Sequence, residues 1–208
     1  MTTDQAIVHI VDDDAGLREA LDSLFRSVGL GTRLYATAQE FLDTPLPDVP
    51  NCLVLDIRLP GVSGLDFQAQ LAAAGVDVPI VLMTGYGDIP MSVRGMKAGA
   101  VDFLTKPFRD QDMLDAVAAA HARDRANRTS ARGNADLQAR LDTLSPRERQ
   151  VMEHVVTGLM NKQIAFELGL SEITVKVHRG NAMRKMGAKS LAELVRMAET
   201  LKLAPPVR

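Results

Sequence analysis

The chain has 208 residues, 46% of them hydrophobic and 24% charged, with a formal net charge of -2. That length allows one large domain or two small ones, and the composition excludes a collagenous or mainly disordered chain. Cys52 stands alone and cannot form an internal disulfide, the four histidines (His9, His121, His154, His178) lack zinc-ligand spacing, and no apolar run reaches the roughly 18 residues that span a bilayer. The polar stretch Met1 to Ala6 lacks the basic-then-apolar pattern of a signal peptide, so a cytoplasmic protein is expected.

The near-neutral total hides a split. Residues 1–124 carry 18 Asp and Glu against 9 Lys and Arg, a balance of -9, whereas residues 125–208 carry 8 against 15, a balance of +7. An acidic half followed by a basic half points to two domains with different partners.

In the first half, strand-like runs alternate with helical patterns. The runs are 7–11, 32–36, 52–56, 79–83 and 101–104, three of them nearly continuous in apolar residues, as central strands covered on both faces must be. Leu17, Leu21, Leu24, Phe25 and Val28 recur at helical spacing, as do Leu65, Phe67 and Leu71, then Met91, Met96, Met113, Leu114 and Val117, the methionines being read as core filling rather than a binding box. Five strands each followed by a helix predict a parallel α/β sheet.

Ligands of such sheets bind at the carboxyl ends of the strands, and the polar residues collect there. Asp12, Asp13 and Asp14 follow the first strand, Asp56 ends the third, Thr84 follows the fourth, and Lys106 precedes Pro107 after the fifth. A lone aspartate in such a place is more often a helix cap, and Asp14 is read as one. Acids from two strand ends repel one another unless a cation lies between them, and carboxylate oxygens suit Mg²⁺. A carboxylate nucleophile, a metal, a hydroxyl and an ammonium are the components of phosphoryl transfer to an aspartate.

The order Val-Asp-Asp-Asp at 11–14, Leu-Asp-Ile-Arg-Leu-Pro-Gly-Val-Ser-Gly-Leu at 55–65, Met-Thr-Gly at 83–85, Lys-Ala-Gly-Ala-Val-Asp-Phe at 97–103 and Lys-Pro-Phe at 106–108 closely resembles the receiver domain of two-component response regulators. The resemblance implies a five-stranded (βα)5 flavodoxin-like fold with Asp56 as phosphoacceptor. It further implies Asp13 as a direct Mg²⁺ ligand, Asp12 as a second acid acting largely through water, and the backbone carbonyl of Arg58 as a further ligand. Thr84 and Lys106 would bind phosphoryl oxygens, and Phe103 would be the aromatic that moves inward with Thr84. Arg58 and Tyr86, two residues after Asp56 and Thr84, would flank the path of the hydrolytic water and lengthen the life of the phosphorylated form.

From His121 to Asp136 the sequence has no large apolar side chain and many arginines, which is read as a solvated helix extension or a linker rather than core. Ser145-Pro146-Arg147-Glu148 then joins an N-cap serine, proline at the first helical position and glutamate at the third. Helices are expected over 146–157, 161–168, 172–185 and 190–203, separated by Gly158, Gly169 and Gly187. In the segment 161–185, Ala165 faces inward, Gly169 turns the chain and Ser171 caps a helix with Ile173, Val177, Met183 and Met186 on one side. Thr174, Lys176, His178, Arg179, Asn181, Arg184 and Lys185 lie elsewhere on it, where they either read the DNA major groove or form a basic solvated face.

The stretches 144–152, 158–165 and 174–179, with Lys189-Ser190-Leu191, resemble the four-helix DNA-binding domain of the LuxR type. The chain as a whole is thus similar to response regulators of the FixJ and NarL type, and the run Gly-Asp-Ile-Pro-Met-Ser-Val at 87–93 favours the FixJ-like branch. Base contacts from Lys176, Val177 and His178 are implied, with neighbouring polar residues on phosphates. Gly180 departs from relatives that carry lysine there, and glycine inside a helix costs about 1 kcal/mol relative to alanine.

These expectations give a receiver over 1–122, a helical linker over 123–140 and a LuxR-type helix-turn-helix domain over 141–208. The implied partners are a sensor histidine kinase, double-stranded promoter DNA, a second copy of the chain on phosphorylation through the face of residues 88–120, and RNA polymerase. Beyond phosphorylation and dephosphorylation of Asp56, no enzymatic activity is expected. Two alternatives stay open: the acidic half masks the basic half until activation, or the protein is a phosphate sink or scaffold without sequence-specific DNA output.

Overall fold

The computed structural model describes residues 5–85 and 89–203, in two compact units, Met1–Asn127 and Arg128–Arg208. In the first, strands β1 (Ile7–Val11), β2 (Gly31–Tyr35), β3 (Asn51–Asp56), β4 (Ile80–Thr84) and β5 (Asp102–Thr105) form one parallel sheet in the order β2-β1-β3-β4-β5. Helices α1 (Ala15–Ser27), α2 (Ala38–Leu42), α3 (Gly64–Ala73), α4 (Ile89–Lys97) and α5 (Asp110–Asp142) connect or follow the strands.

The expected strand runs thus appear to within about a residue, and the three apolar ones are the three central strands. Side chains of β3 alternate between the faces. Leu53 and Leu55 join Phe41, Phe67 and Leu71 on one side, while Cys52 and Val54 join Leu21, Phe25, Met113 and Val117 on the other. Burying such side chains is worth about 1.5–3 kcal/mol each, which makes these two layers the main stabilising element of the unit. Met113 is fully buried as expected, but Met96 is 40% exposed on α4 and fills no core. The helix phase that turns Gly95 onto Leu82 and Leu65 carries the neighbouring side chain outward.

The segment after His121 needs a larger correction. It is helical, within α5, and residues 129–136 are exposed, but His121 and Asp124 are buried. His121 Nε2 lies 3.1 Å from the carbonyl oxygen of Ile7, and Asp124 Oδ2 accepts the backbone N–H of Asn51 at 2.9 Å. Polar side chains are tolerated in such places when hydrogen-bonded, so the absence of large apolar residues did not exclude burial.

The second unit consists of the end of α5 with α6 (Pro146–Val156), α7 (Asn161–Leu168), α8 (Glu172–Met186) and α9 (Leu191–Thr200) around Leu141, Val151, Met152, Val155, Ile164 and Leu194. The Ser145 capping box is present with both of its hydrogen bonds. Gly169 closes α7 with φ 64°, a left-handed conformation that glycine adopts without a Cβ penalty, and Ser171 caps α8 through the Thr174 N–H. Among the described residues no helix is long and apolar enough to cross a membrane.

Candidate functional site

Strand order reverses between β1 and β3: the chain passes from β1 outward to β2 on one side and from β3 outward to β4 on the other, so a crevice opens at the carboxyl ends of this pair. Val11 pairs with Leu55, so the residues that follow, Asp12 and Asp56, emerge side by side. Asp14 caps α1 by accepting the Leu17 N–H, as expected, and its own N–H donates to Asp12 Oδ1 at 2.8 Å. Arg18, one turn along α1, donates to the Asp12 carbonyl oxygen at 2.6 Å. On the other side Asp56 Oδ1 accepts the Arg58 N–H at 2.9 Å. α3 starts close against this loop because Gly64 has no side chain: a Cβ there would lie 2.4 Å from the Asp56 carbonyl oxygen.

Lys106 enters from the end of β5, beside its cis bond to Pro107, and its Nζ lies 2.7 Å from Asp12 Oδ2 and 2.5 Å from Asp56 Oδ2. One ammonium thus bridges two buried carboxylates. Burial pushes the Asp12 carboxyl above the ordinary range, with the Lys106 hydrogen bond working against it. For Lys106 burial opposes the charge, but hydrogen bonds to Asp12 and Asp56 outweigh it and its pKa is raised.

Asp13 is exposed beside these two, and one carboxylate oxygen from each of Asp12, Asp13 and Asp56 lies within 4.8 Å of the others. Three carboxylates facing a single lysine leave an excess of negative charge, and an all-oxygen donor set of this size fits a hard divalent cation such as Mg²⁺. An open cleft of about 500 Å³, lined by Asp13, Arg58, Pro60, Ser63 and Met91, adjoins the cluster. Thr84, fully buried at the end of β4, directs its hydroxyl to the Gly85 carbonyl at 3.3 Å. Phe103 is half-buried and packs against the core layer that contains Leu82, its neighbour across the sheet. Tyr86, expected beside the water path, lies outside the described residues, as do Gly87 and Asp88 of the 87–93 run.

In the second unit the expected nucleic-acid residues separate into two groups. Lys176, Val177 and Arg184 are exposed, and together with Ile173 and Gly180, which were not expected to touch DNA, they form one stripe along α8. The others face neighbours. Thr174 Oγ1 lies 2.8 Å from Ser171 Oγ, and Arg179 donates to Asn161 Oδ1 at 3.1 Å, tying α8 to the start of α7. Asn181 Oδ1 accepts from Arg184, and His178 is half-buried. Lys185 donates to Glu148 Oε2 at 2.6 Å and to the Thr143 carbonyl at 3.0 Å, a bridge within the unit. That bond, with the Ser145 N–H, holds the Glu148 carboxyl down at about 2.

The reading of α8's inner face is corrected. Ile173 and Val177 were expected beside Met183 and Met186, but they are exposed, and the helix packs through Val175, Ala182 and Met186, with Met183 partly buried. Positions 175, 182 and 186 share one helical phase, and Ala182, being small, hid that phase from a search for large side chains. Sequence reasoning also missed Arg18, for which an arginine one turn into a helix gives no distinctive signal.

The Response regulator receiver domain family matches residues 8–118, and the family of Bacterial regulatory proteins, luxR family, matches residues 142–198. Fold and site together define a receiver joined to a helix-turn-helix domain. The chain belongs to the two-component response regulators with a LuxR-type DNA-binding domain, in the group that includes FixJ and TodT. It is 59% identical over 197 residues to Nodulation protein W of Bradyrhizobium diazoefficiens, covering 95% of this chain and 87% of that one. It is 45% identical over 198 residues to the transcriptional regulatory protein FixJ of Azorhizobium caulinodans, covering 95% and 94%. Among solved structures, the response regulator StyR is 46% identical with a TM-score of 0.81, covering 94% of this chain and 98% of that one.

Proposed function

We propose that this response regulator is a phosphorylation-dependent, cytoplasmic transcriptional regulator that accepts a phosphoryl group from a sensor histidine kinase on Asp56 and binds promoter DNA as a dimer. The observation that carries this reading is the convergence of Asp12, Asp56 and Lys106, with the ammonium 2.7 and 2.5 Å from the two carboxylates. An Asp56 carboxylate oxygen forms the new bond to phosphorus as the N–P bond of the phosphohistidine donor breaks, and the imidazole nitrogen keeps that electron pair. Lys106 and Thr84 then hold phosphoryl oxygens, Lys106 by exchanging its carboxylate partner for the more highly charged group.

Asp12, Asp13, Asp56 and the Arg58 carbonyl would hold Mg²⁺, which when bound offsets the repulsion between the carboxylate and the incoming phosphoryl group. An apolar cleft of about 530 Å³ beside Lys106, lined by Leu17, Leu21, Leu24, Pro107 and Phe108, offers the kinase a docking surface. Phosphorylation acts by favouring one of two conformations, with Phe103 following Thr84 and residues 88–120 forming the dimer contact. Residues 1–122 serve as receiver, 123–140 as linker and 141–208 as reader. DNA is contacted through Lys176, Val177 and Arg184 on the exposed stripe, with Thr174, His178, Arg179, Asn181 and Lys185, which are partly buried, at its margins, and with RNA polymerase as a further partner on promoters. A dimer supplies the two half-sites that give useful specificity.

The test is genome-wide mapping of bound DNA with the wild type and Asp56→Asn, together with labelling by a phosphodonor. Loss of both labelling and site occupancy in Asp56→Asn is expected. Persistent labelling of that variant at another residue sinks the assignment of Asp56, and wild-type protein without sequence-selective binding leaves the phosphate-sink reading.

A further inference from the structure

The exposed stripe of α8 has two features that neither stability nor solubility explains. Ile173 and Val177, one turn apart, are 78% and 56% exposed, an apolar pair on the solvent-facing side of α8 in a basic unit. Three residues further along the same stripe is Gly180. Glycine is unfavourable in a helix interior relative to alanine, and it is normally kept there by a close internal contact or a left-handed backbone. Neither applies, because Gly180 has no positive φ and a Cβ built on it meets nothing within 4 Å beyond the adjoining backbone of its own helix. Among the described residues nothing requires the missing side chain, and its place on a basic stripe beside exposed apolar side chains points to what approaches that face.

We propose that Ile173 and Gly180 determine sequence specificity, Gly180 by letting the backbone of α8 come close to the floor of the major groove and Ile173 by packing, with Val177, against thymine methyl groups. The inference rests on the second unit being a DNA reader. Charge favours that occupant: residues 125–208 carry a balance of +7, and Lys176 and Arg184 lie on the same stripe. The chemistry of the apolar pair then selects the base. Neither side chain donates or accepts a hydrogen bond, and the apolar group exposed on base-pair edges in the major groove is the C5-methyl of thymine. Lys176, between the two in sequence, supplies the polar contact to guanine or phosphate that the apolar pair cannot make.

The experiment starts from binding-site selection with full-length protein, acetyl phosphate and Mg²⁺ on a randomised duplex library, followed by affinity measurements on the selected duplex and a scrambled one. Gly180→Ala is expected to raise the melting midpoint of the protein while weakening binding to the selected duplex about tenfold and leaving the scrambled duplex unchanged. Replacing the contacted thymine by uracil, which removes only the methyl group, is expected to weaken wild-type binding about three- to tenfold and to cost Ile173→Ala, which keeps only the Val177 contact, clearly less. The inference is overturned if Gly180→Ala binds the selected duplex as well as the wild type does, or if uracil at every thymine leaves wild-type affinity unchanged, or costs wild type and Ile173→Ala equally. A selection that enriches no sequence overturns the DNA-reader reading and this inference with it; enrichment without a methyl effect overturns this inference alone.

Discussion

The receiver unit contains two buried polar clusters, and their difference shows which kind of buried polarity marks a working site. At the carboxyl ends of the strands, Asp12 and Asp56 share the Lys106 ammonium, Asp13 stands exposed beside them, and the negative charge is in excess. Toward the amino ends, His9 lies between Tyr35 Oη and Asn51 Oδ1, 3.0 Å from each, and the Asn51 side chain donates to the Pro47 and Val49 carbonyls. The Asn51 N–H meets Asp124 and His121 meets the Ile7 carbonyl, so this second cluster joins β1 and β3 to α5. Its hydrogen bonds are paired and its histidines are held toward the neutral form by burial. A cluster whose demands are met internally supports the fold; one left with surplus charge at an open cleft has capacity for a ligand.

Changing Lys106 attacks the contrast most directly. Lys106→Met leaves two carboxylates without their shared ammonium, and phosphodonor labelling of Asp56 is expected to fall by about 100-fold or more, on the scale of removing one charge-stabilising donor. Mg²⁺ is then expected to raise the melting midpoint of the variant more than that of the wild type, read by calorimetry with and without the metal. Equal labelling rates in the two proteins would put the site elsewhere.

Asp124→Ala tests the other cluster. It removes the acceptor of the buried Asn51 N–H, and a loss of about 1–3 kcal/mol of stability is expected by denaturant titration, with the initial labelling rate unchanged. A labelling defect as large as that of Lys106→Met would erase the distinction between the clusters.

The smallest effect is a pH slope. Burial lowers the pKa of His9 and of His121 below the ordinary 6.5, so the folded state binds fewer protons than the unfolded chain as the pH drops. The stability these neutral histidines carry is fully present above about pH 6.5 and is lost as the pH falls below it, by at most about 1.4 kcal/mol per pH unit for each histidine. Melting midpoints between pH 8 and 5 are expected to decline on the acid side, and His9→Asn to decline less steeply. A variant with the same slope as wild type would remove His9 from the explanation.

Much of this was legible in the amino-acid order. Asp12, Asp13, Asp56, Thr84 and Lys106 could be placed at strand ends because apolar runs of strand length mark where each strand stops. The helix starts at Asp14, Ser145 and Ser171 were legible because an N-cap satisfies its hydrogen bonds within three residues. The polar cluster of His9, Asn51 and Asp124 was invisible, since its members are up to 115 positions apart and each alone looks like surface polarity. The exposure of Ile173 and Val177 was misjudged because Ala182 carries the packing phase without the bulk that advertises it.

Local chemistry therefore settled the elements, the charge split between the two halves, and the gathering of carboxylates, a hydroxyl and a lysine at strand ends, because periodicity, capping and strand termination are properties of neighbours in sequence. Tertiary structure alone decided that Lys106 reaches both Asp12 and Asp56, that His121 and Asp124 belong to the sheet's support, and that α8 turns Ile173, Lys176, Val177 and Gly180 outward. Those outcomes depend on which surfaces of distant segments are excluded from water together, and only the packed chain establishes that.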